Sequence, residues 1–288
     1  MTAAPDSKMW PAPAKLNLFL HILGRRPDGY HELQTCFQFV DLCDEITIQV
    51  RADGAIRRVV ELAGVAEDDD LCVRAAKALR AASGCPLGAD IGVLKRIPMG
   101  GGLGGGSSDA ATCLTALNAM WNLHWSIDDL AALGLRLGAD VPVFVRGRTA
   151  WAEGIGERLW PLHPPVAPAE TNYLILKPNV SVSTAEVFMD PELTRNSPPI
   201  TIDGFLATGG RNDCLGVVRR RYPEVAAALD WLSRFGAARL TGTGACVFLD
   251  VETMDRGREI VRKLPPACDA FLARGLNDSP LLERLATA

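Results

Sequence analysis

Pro98-Met-Gly-Gly-Gly-Leu-Gly-Gly-Gly-Ser-Ser108 decides how the rest of this chain reads. Six of its eleven residues are glycine, and it joins an apolar run, Ile91 to Ile97, to a segment with helical periodicity, Ser107 to Asn122. Glycine puts no Cβ in the way, so backbone N–H groups can converge on an anion. The helix behind adds roughly half a positive charge at its N-terminus from aligned peptide dipoles. Strand, glycine loop and helix in that order predict a phosphate cradle, because a flexible linker has no reason to be framed this way. Gly100, Gly102 and Gly105 satisfy the GxGxxG spacing of a dinucleotide site. No acidic residue closes a following strand about twenty residues on, however, since Asp128 and Asp129 fall at a helix start. A P-loop is excluded because no lysine precedes Ser107 or Ser108, and the protein-kinase signatures H-R-D and D-F-G are absent.

Outward from the loop, Ala14 to Ile22 alternates strictly, with Leu16, Leu18, Leu20 and Ile22 on one face and Lys15, Asn17, Phe19 and His21 on the other. The pattern predicts a strand with one buried face. Arg26-Pro27-Asp28-Gly29 is a turn signal, followed by expected strands at Thr35 to Val40 and Glu45 to Val50. A helix begins at Asp70 and stops at Gly84; another opens at Ser126, capped with Asp129, and closes near Gly138. Four prolines between Pro161 and Pro168 form a stiff connector, which predicts domains over 1–163 and 164–288. The second half reads as a strand at Tyr173 to Leu176, helices near Ser183, Cys214 to Arg221 and Pro223 to Phe235, a turn at Thr241 to Gly244, a strand to Val251, a helix from Thr253 to Leu264 and a last strand near Ala270. Strands and helices mix without a regular repeat, so the expected class is α+β.

The chain has 288 residues, 48% of them hydrophobic, 22% charged, and a formal charge of -4. Such a chain can bury enough apolar surface to fold, and its slightly acidic balance gives no reason to expect nucleic acid or an anionic membrane as a partner. Arg219-Arg220-Arg221 reads as a solvated helix face. The eight cysteines show no CxxC pair and the four histidines no metal-ligand spacing, which predicts free thiols in a reducing compartment. Met1 to Asp6 lacks a basic region followed by an apolar run, and no stretch approaches ~20 apolar residues. A cytoplasmic protein, monomer or homodimer, is the expectation.

Phosphoryl transfer needs charge neutralised on the moving group and a residue that orients and deprotonates the acceptor hydroxyl. Asp140, in Gly138-Ala139-Asp140-Val141-Pro142, is a candidate base, although Asp before Val-Pro is also an ordinary helix N-cap. Lys15 alone is a strand lysine. Pro13-Ala14-Lys15-Leu16-Asn17-Leu18, the glycine loop, Gly-Ala-Asp140-Val-Pro and Thr241-Gly242-Thr243-Gly244 together, in that order, resemble the galactokinase, homoserine kinase, mevalonate kinase and phosphomevalonate kinase (GHMP) superfamily. The resemblance implies a two-domain fold with the active site in the cleft between domains. It implies ATP and Mg2+, with Asp140 as base and Lys15 as its charge partner. ATP would lie on Pro98, Met99, Gly100, Gly101, Gly102, Leu103, Gly104, Gly105, Gly106, Ser107 and Ser108. Aligned with the family's Pro-x-x-x-Gly-Leu-Gly-Ser-Ser, this loop has Gly105-Gly106 in place of Ser-Ser, which leaves the magnesium ligands unassigned.

Gly29-Tyr30-His31-Glu32-Leu33 is not general to that superfamily. With the extended glycine loop it resembles a branch that phosphorylates the 2-hydroxyl of a cytidine diphosphate ester of methylerythritol, on the non-mevalonate route to isoprenoid precursors. By that resemblance Tyr30 stacks on cytosine, His31 reads the base and Phe188 covers its opposite face. Asn17 meets the erythritol hydroxyls, and Thr184, Thr241, Gly242, Thr243 and Gly244 line the same cleft. A sibling kinase acting on mevalonate or homoserine would have no use for Tyr30-His31, and a sensor that had lost catalysis would be expected to lack Lys15 or Asp140.

Overall fold

The computed structural model describes residues 8–264 and 267–287; the Met1 to Asp6 segment lies outside them. Apolar residues in alternation make β1 (Lys8–Arg25), which turns at Pro27–Gly29 into β2 (His31–Arg51). The two expected strands at 35–40 and 45–50 are one strand of 21 residues. Asp41 and Asp44 look like a break in the sequence, but Asp44 is drawn inward by partners described below, and pairing with β1 continues past it.

The chain continues through β3 (Ile56–Arg58), α1 (Leu71–Ser83), β4 (Gly88–Leu94), α2 (Gly105–Met120), α3 (Ile127–Leu135) and α4 (Val141–Arg146). It then forms β5 (Ala150–Gly154), β6 (Arg158–Pro161), β7 (Asn172–Pro178), α5 (Thr184–Met189), α6 (Ile202–Thr208), α7 (Leu215–Arg221) and α8 (Pro223–Leu232). The last elements are β8 (Arg239–Leu240), β9 (Val247–Val251), α9 (Met254–Val261), β10 (Cys268–Leu276) and α10 (Pro280–Ala286). Helix boundaries follow their caps. Asp70 accepts from the Cys72 amide and Ser126 from the Asp129 amide, while Gly84 closes α1 in the left-handed region at φ 68°.

β2 is the spine of a ten-stranded sheet. One edge carries β1; the other carries β5, β10 and β4 in succession. Gly275↔Val40 and Leu276↔Phe39 join β10 to β2, and β10 leads on to β7, β9 and β8. One sheet therefore carries both sequence halves.

Three apolar clusters pack on it. Trp10, Ile46 and Ile48 meet α1, α2 and α4 in the first; Leu20 and Ile22 meet α7 and α8 in the second; Leu16 lies with Leu103, Trp151 and Phe248 in the third. Because β1 feeds all three, its second face is buried too. Lys15, Asn17, Phe19 and His21, expected on an open face, are at most 5% exposed. Register shifts between Asn17 and Leu20 and between Ile22 and Gly24 break the strict alternation. Helix α10, announced only by Ser279-Pro280, caps itself through the Ser279 hydroxyl and packs Leu281 into the first cluster. Arg284 lies 4.6 Å over the Trp10 ring and donates to the Met9 carbonyl at 3.0 Å. No described helix is long and apolar enough to cross a membrane.

Candidate active site

Helix α2 begins at Gly105, two residues before its expected start, so the whole glycine loop is compressed into Pro98–Gly104. The Thr241–Gly244 turn clamps it from behind, with the Ala245 amide donating to the Gly100 carbonyl at 3.2 Å and the Cys246 amide to Gly101 at 3.0 Å. Gly102 has φ +76°, and a Cβ there would stand 2.5 Å from the Thr241 carbonyl oxygen. At Gly104, φ is +73° and a Cβ would meet Phe144 at 2.7 Å and Lys15 Cε at 3.1 Å. Both glycines are required by protein on the inner side of the loop. On the outer side the loop borders a cavity of about 390 Å³, shared with Leu62, Val65, Leu71, Lys95 and Asp109. Ser107 faces that cavity; Ser108 is fully buried, its hydroxyl without a partner.

Beneath the loop lies a charged cluster that residue spacing did not announce. Asp44 accepts from the Arg96 amide at 2.5 Å, the Ile97 amide at 2.8 Å and the Lys95 ammonium, which also reaches Asp109 at 2.6 Å. Burial pushes the Asp109 carboxyl up to about 8, against the opposing pull of Lys95. Burial alone would lower Lys95, but Asp109 and Asp44 override it and hold its ammonium above the usual lysine range.

Lys15 has every donor engaged. Its ammonium reaches Asn17 Oδ1 at 2.6 Å, the Gly102 carbonyl at 3.2 Å and Asp140 Oδ2 at 3.2 Å, with the Phe37 ring 5.2 Å away. Asn17 presents its oxygen because its amide NH2 donates to Thr35 Oγ1 at 3.0 Å, while the Thr35 hydroxyl donates to the Phe19 carbonyl. Asp140 occupies the N-cap position of α4 with helical φ -84° and ψ -14°, and its side chain makes no capping hydrogen bond. The carboxylate turns to Lys15 instead, and the Asp140 side chain remains 32% exposed while that of Lys15 is 4% exposed.

These residues line a second cavity of about 300 Å³ with Ser107, Thr184, Phe188, Gly242 and Thr243. Thr184 and Thr243 share a hydrogen bond at 2.9 Å. Thr241 is fully buried and accepts from the Asn17 amide at 3.0 Å, so it and Gly244 stand behind the cleft and brace it.

Leu33, Ala139, Ile155, Thr184 and Phe188 are shared with a third, apolar groove of about 360 Å³ that ends at Tyr30, His31 and Met189. Tyr30 is 57% exposed, its amide held by Asp28 at 3.0 Å. The ring that faces Phe188 here is His31, with centroids 5.1 Å apart and planes 23° apart. Burial, then the nearby Arg195 and Arg25, holds the His31 pKa below the ordinary histidine value. Arg195 lies in Pro191 to Ile200, a polar loop without any motif, and nothing in the sequence marked it or Thr35 as part of the site.

The GHMP kinases N terminal domain profile matches residues 70–148, and the GHMP kinases C terminal profile matches 205–269. A 4-diphosphocytidyl-2-C-methyl-D-erythritol kinase of Shewanella denitrificans is 54% identical, covering 99% of each chain. One of Pseudomonas aeruginosa is 57% identical over 96% of this chain and 97% of its own. The crystal structure of a 4-(cytidine 5'-diphospho)-2C-methyl-D-erythritol kinase superposes with a TM-score of 0.79 at 33% identity, covering 93% of this chain and 99% of that one. The mevalonate kinase of Methanococcus jannaschii, 18% identical, shares the fold with a TM-score of 0.70 over 96% and 100% of the two chains.

Proposed function

The chain belongs to the GHMP kinases, in the branch of the 4-diphosphocytidyl-2-C-methyl-D-erythritol kinases, and on that premise we propose that it moves the γ-phosphate of ATP onto the 2-hydroxyl of 4-diphosphocytidyl-2-C-methyl-D-erythritol. The fold and relatives make it a small-molecule kinase that uses ATP. The finer assignment rests on one observation: Asp140 stands at a helix start yet gives up the cap to meet Lys15, in the cavity that lies between the glycine-loop cavity and the apolar groove and shares walls with each.

The triphosphate rests on the loop of Pro98–Gly104 and the N-terminus of α2, a 16-residue helix whose first amides point outward. The acceptor lies in the second cavity, its hydroxyl against Asp140 and its erythritol oxygens against Asn17 and Thr184. The cytosine fills the apolar groove by Tyr30, His31 and Phe188. Asp140 orients the hydroxyl and takes its proton. In a loose transition state the proton leaves late, so an ordinary carboxylate suffices. Lys15, anchored by Asn17 and the Gly102 carbonyl, orients the carboxylate from 3.2 Å and places a fixed positive charge beside the transferring group.

Ser107 and Asp140 fit a magnesium ion, because both line one cavity and Ser107 Oγ lies 3.6 Å from where a Cβ on Gly138 would stand, against the Asp140 turn. Bound there between one hydroxyl, one carboxylate and substrate phosphates, the ion would neutralise phosphate charge. Ser108, buried beneath, is not offered to it.

An ATP-consumption assay with the diphosphocytidyl substrate beside mevalonate and homoserine tests the proposal. Turnover with the first alone is expected; equal or greater turnover with either sibling substrate overturns the substrate assignment.

A further inference from the structure

Behind the apolar groove stands a residue with no place in phosphoryl transfer. The guanidinium of Arg195 points its Nε–H at His31 Nε2, 3.0 Å away. Its other nitrogens donate to three carbonyls: Leu193 at 3.2 Å, Phe188 at 2.8 Å and Asp190 at 2.8 Å. Phe188 and Asp190 close the C-terminus of α5, where helix carbonyls lack partners of their own. One planar cation therefore caps the helix that carries Thr184 and Phe188 and, by the same fork, grips the histidine stacked on Phe188. A lysine could not do both, because its donors radiate from one point.

The bond to His31 has a chemical consequence. Arg195 can only donate, so Nε2 must be the unprotonated nitrogen, and the one N–H of the neutral ring lies on Nδ1. An N–H at that ring can donate to N3 of cytosine, which accepts. It would confront N3 of uracil, which itself donates. We infer that Arg195 is a positioning residue that fixes His31 as the Nδ1–H tautomer and so makes the groove select cytosine over uracil. This deepens the cytidine reading above and rests on it.

The surrounding charges agree with a neutral ring. Arg25 is the cross-strand partner of His31 on β1, and Arg195 approaches from the loop after α5. Asp190, whose carbonyl Arg195 also holds, turns its carboxylate to Arg220 and Arg221, and Glu32, next in sequence to His31, turns its own to Arg26 and Arg158. Protonating Nε2 would set two donors against each other, and among the described residues no carboxylate is paired with His31.

The tautomer is read directly in the unaltered protein from the imidazole 15N shifts of His31: a bare Nε2 and a protonated Nδ1 are expected, and the reverse pattern overturns the inference. Selectivity is read from CDP and UDP binding in the presence of a saturating non-hydrolysable ATP analogue. The parent should prefer CDP by at least ~10-fold, the scale of a mismatched buried hydrogen bond. Arg195→Ala should erase most of that preference and leave the ATP analogue's affinity within about twofold. Below about pH 6.5, where an unrestrained imidazole takes a second proton and both ring nitrogens donate, its UDP affinity should fall and its preference for CDP should return, while the parent stays flat. A purely structural role would weaken CDP and UDP alike and leave the pH profile unchanged, which refutes the proposal. Arg195→Lys should keep the protein folded without restoring selectivity, and full restoration would also refute it. A parent that binds CDP and UDP equally defeats the cytidine reading itself, whichever tautomer the 15N shifts report.

Discussion

The phosphate end and the base end of the cleft are built on opposite plans. At the phosphate end nothing has slack: Lys15 is saturated by three oxygens, Gly102 and Gly104 have protein where a Cβ would be, and a buried Lys95 is held between Asp44 and Asp109. At the other end, two large side chains stand on the rim. Tyr30 is 57% exposed and Met189 70%, and one half-buried arginine ties the walls together. The contrast suits the roles proposed for the two ends. Stabilising a transition state requires charges that do not reorganise, whereas a flat base is gained by stacking on surfaces that stay open until it arrives.

The sharpest way to break this contrast is at the phosphate end. Asp140→Asn should lower kcat by ~10²–10⁴ while the protein stays folded and its ATP affinity measured without magnesium stays near the parent's, because the side chain caps nothing. Turnover within a few-fold of the parent would reduce Asp140 to a partner of Lys15. Gly104→Val comes next. It forces a β-branched residue to φ +73° against Phe144 and against the stem of Lys15. A stability loss of about 1–3 kcal/mol is expected, with catalysis falling alongside ATP binding. Gly106→Ala, which would meet only Leu71 at 3.2 Å, should be near neutral by calorimetry. If both glycine variants behave alike, the loop is not wedged as described.

At the base end, Tyr30→Ala should cost ~1–3 kcal/mol in affinity for the cytidine substrate and nothing measurable in melting temperature or ATP binding. Undiminished substrate affinity would remove the stacking role. The smallest effect is in pH. His21 is held below its ordinary pKa mainly by burial, as His31 is. In the window from 6.5 down to those lowered values the unfolded chain binds protons that the folded one resists, so stability is complete above about pH 6.5 and declines as pH falls. Melting temperature should drop modestly between pH 7 and 5.5, and a His21→Gln, His31→Gln double variant should flatten that slope; an unchanged slope would exclude both imidazoles.

Much of this was legible beforehand, for local reasons. The glycine loop before a helix, the Asp70 and Ser126 caps and the Gly84 stop are short-range signals, and the structure reproduces them. What could not be read depends on partners far away in the chain. Asp41 and Asp44 broke the apolar pattern of β2, and only the Lys95 ammonium, with the amides of Arg96 and Ile97, explains why Asp44 tolerates full burial. Lys15 was expected on an open strand face because alternation cannot reveal that a second layer covers it. Asp140 read first as a helix cap on its residues alone, and its dihedrals and its contact with Lys15 show a side chain that caps nothing. Arg195 had no signal, since a polar loop residue acquires meaning only when folding brings His31 to it.

The packing of α10 on β1 also sets a timetable for birth on the ribosome. The Arg284 guanidinium meets the Met9 carbonyl across 275 positions of chain, which at ~5–20 residues per second is an interval of roughly 14 to 55 s. During that interval the tryptophan beneath Arg284 lacks its cover, and the sheet's first strand waits for its last helix. Long-range closure of this kind slows folding and prolongs exposure of apolar surface. A nascent chain paused before Pro280 therefore leaves the Trp10 end of β1 without the cover that α10 supplies.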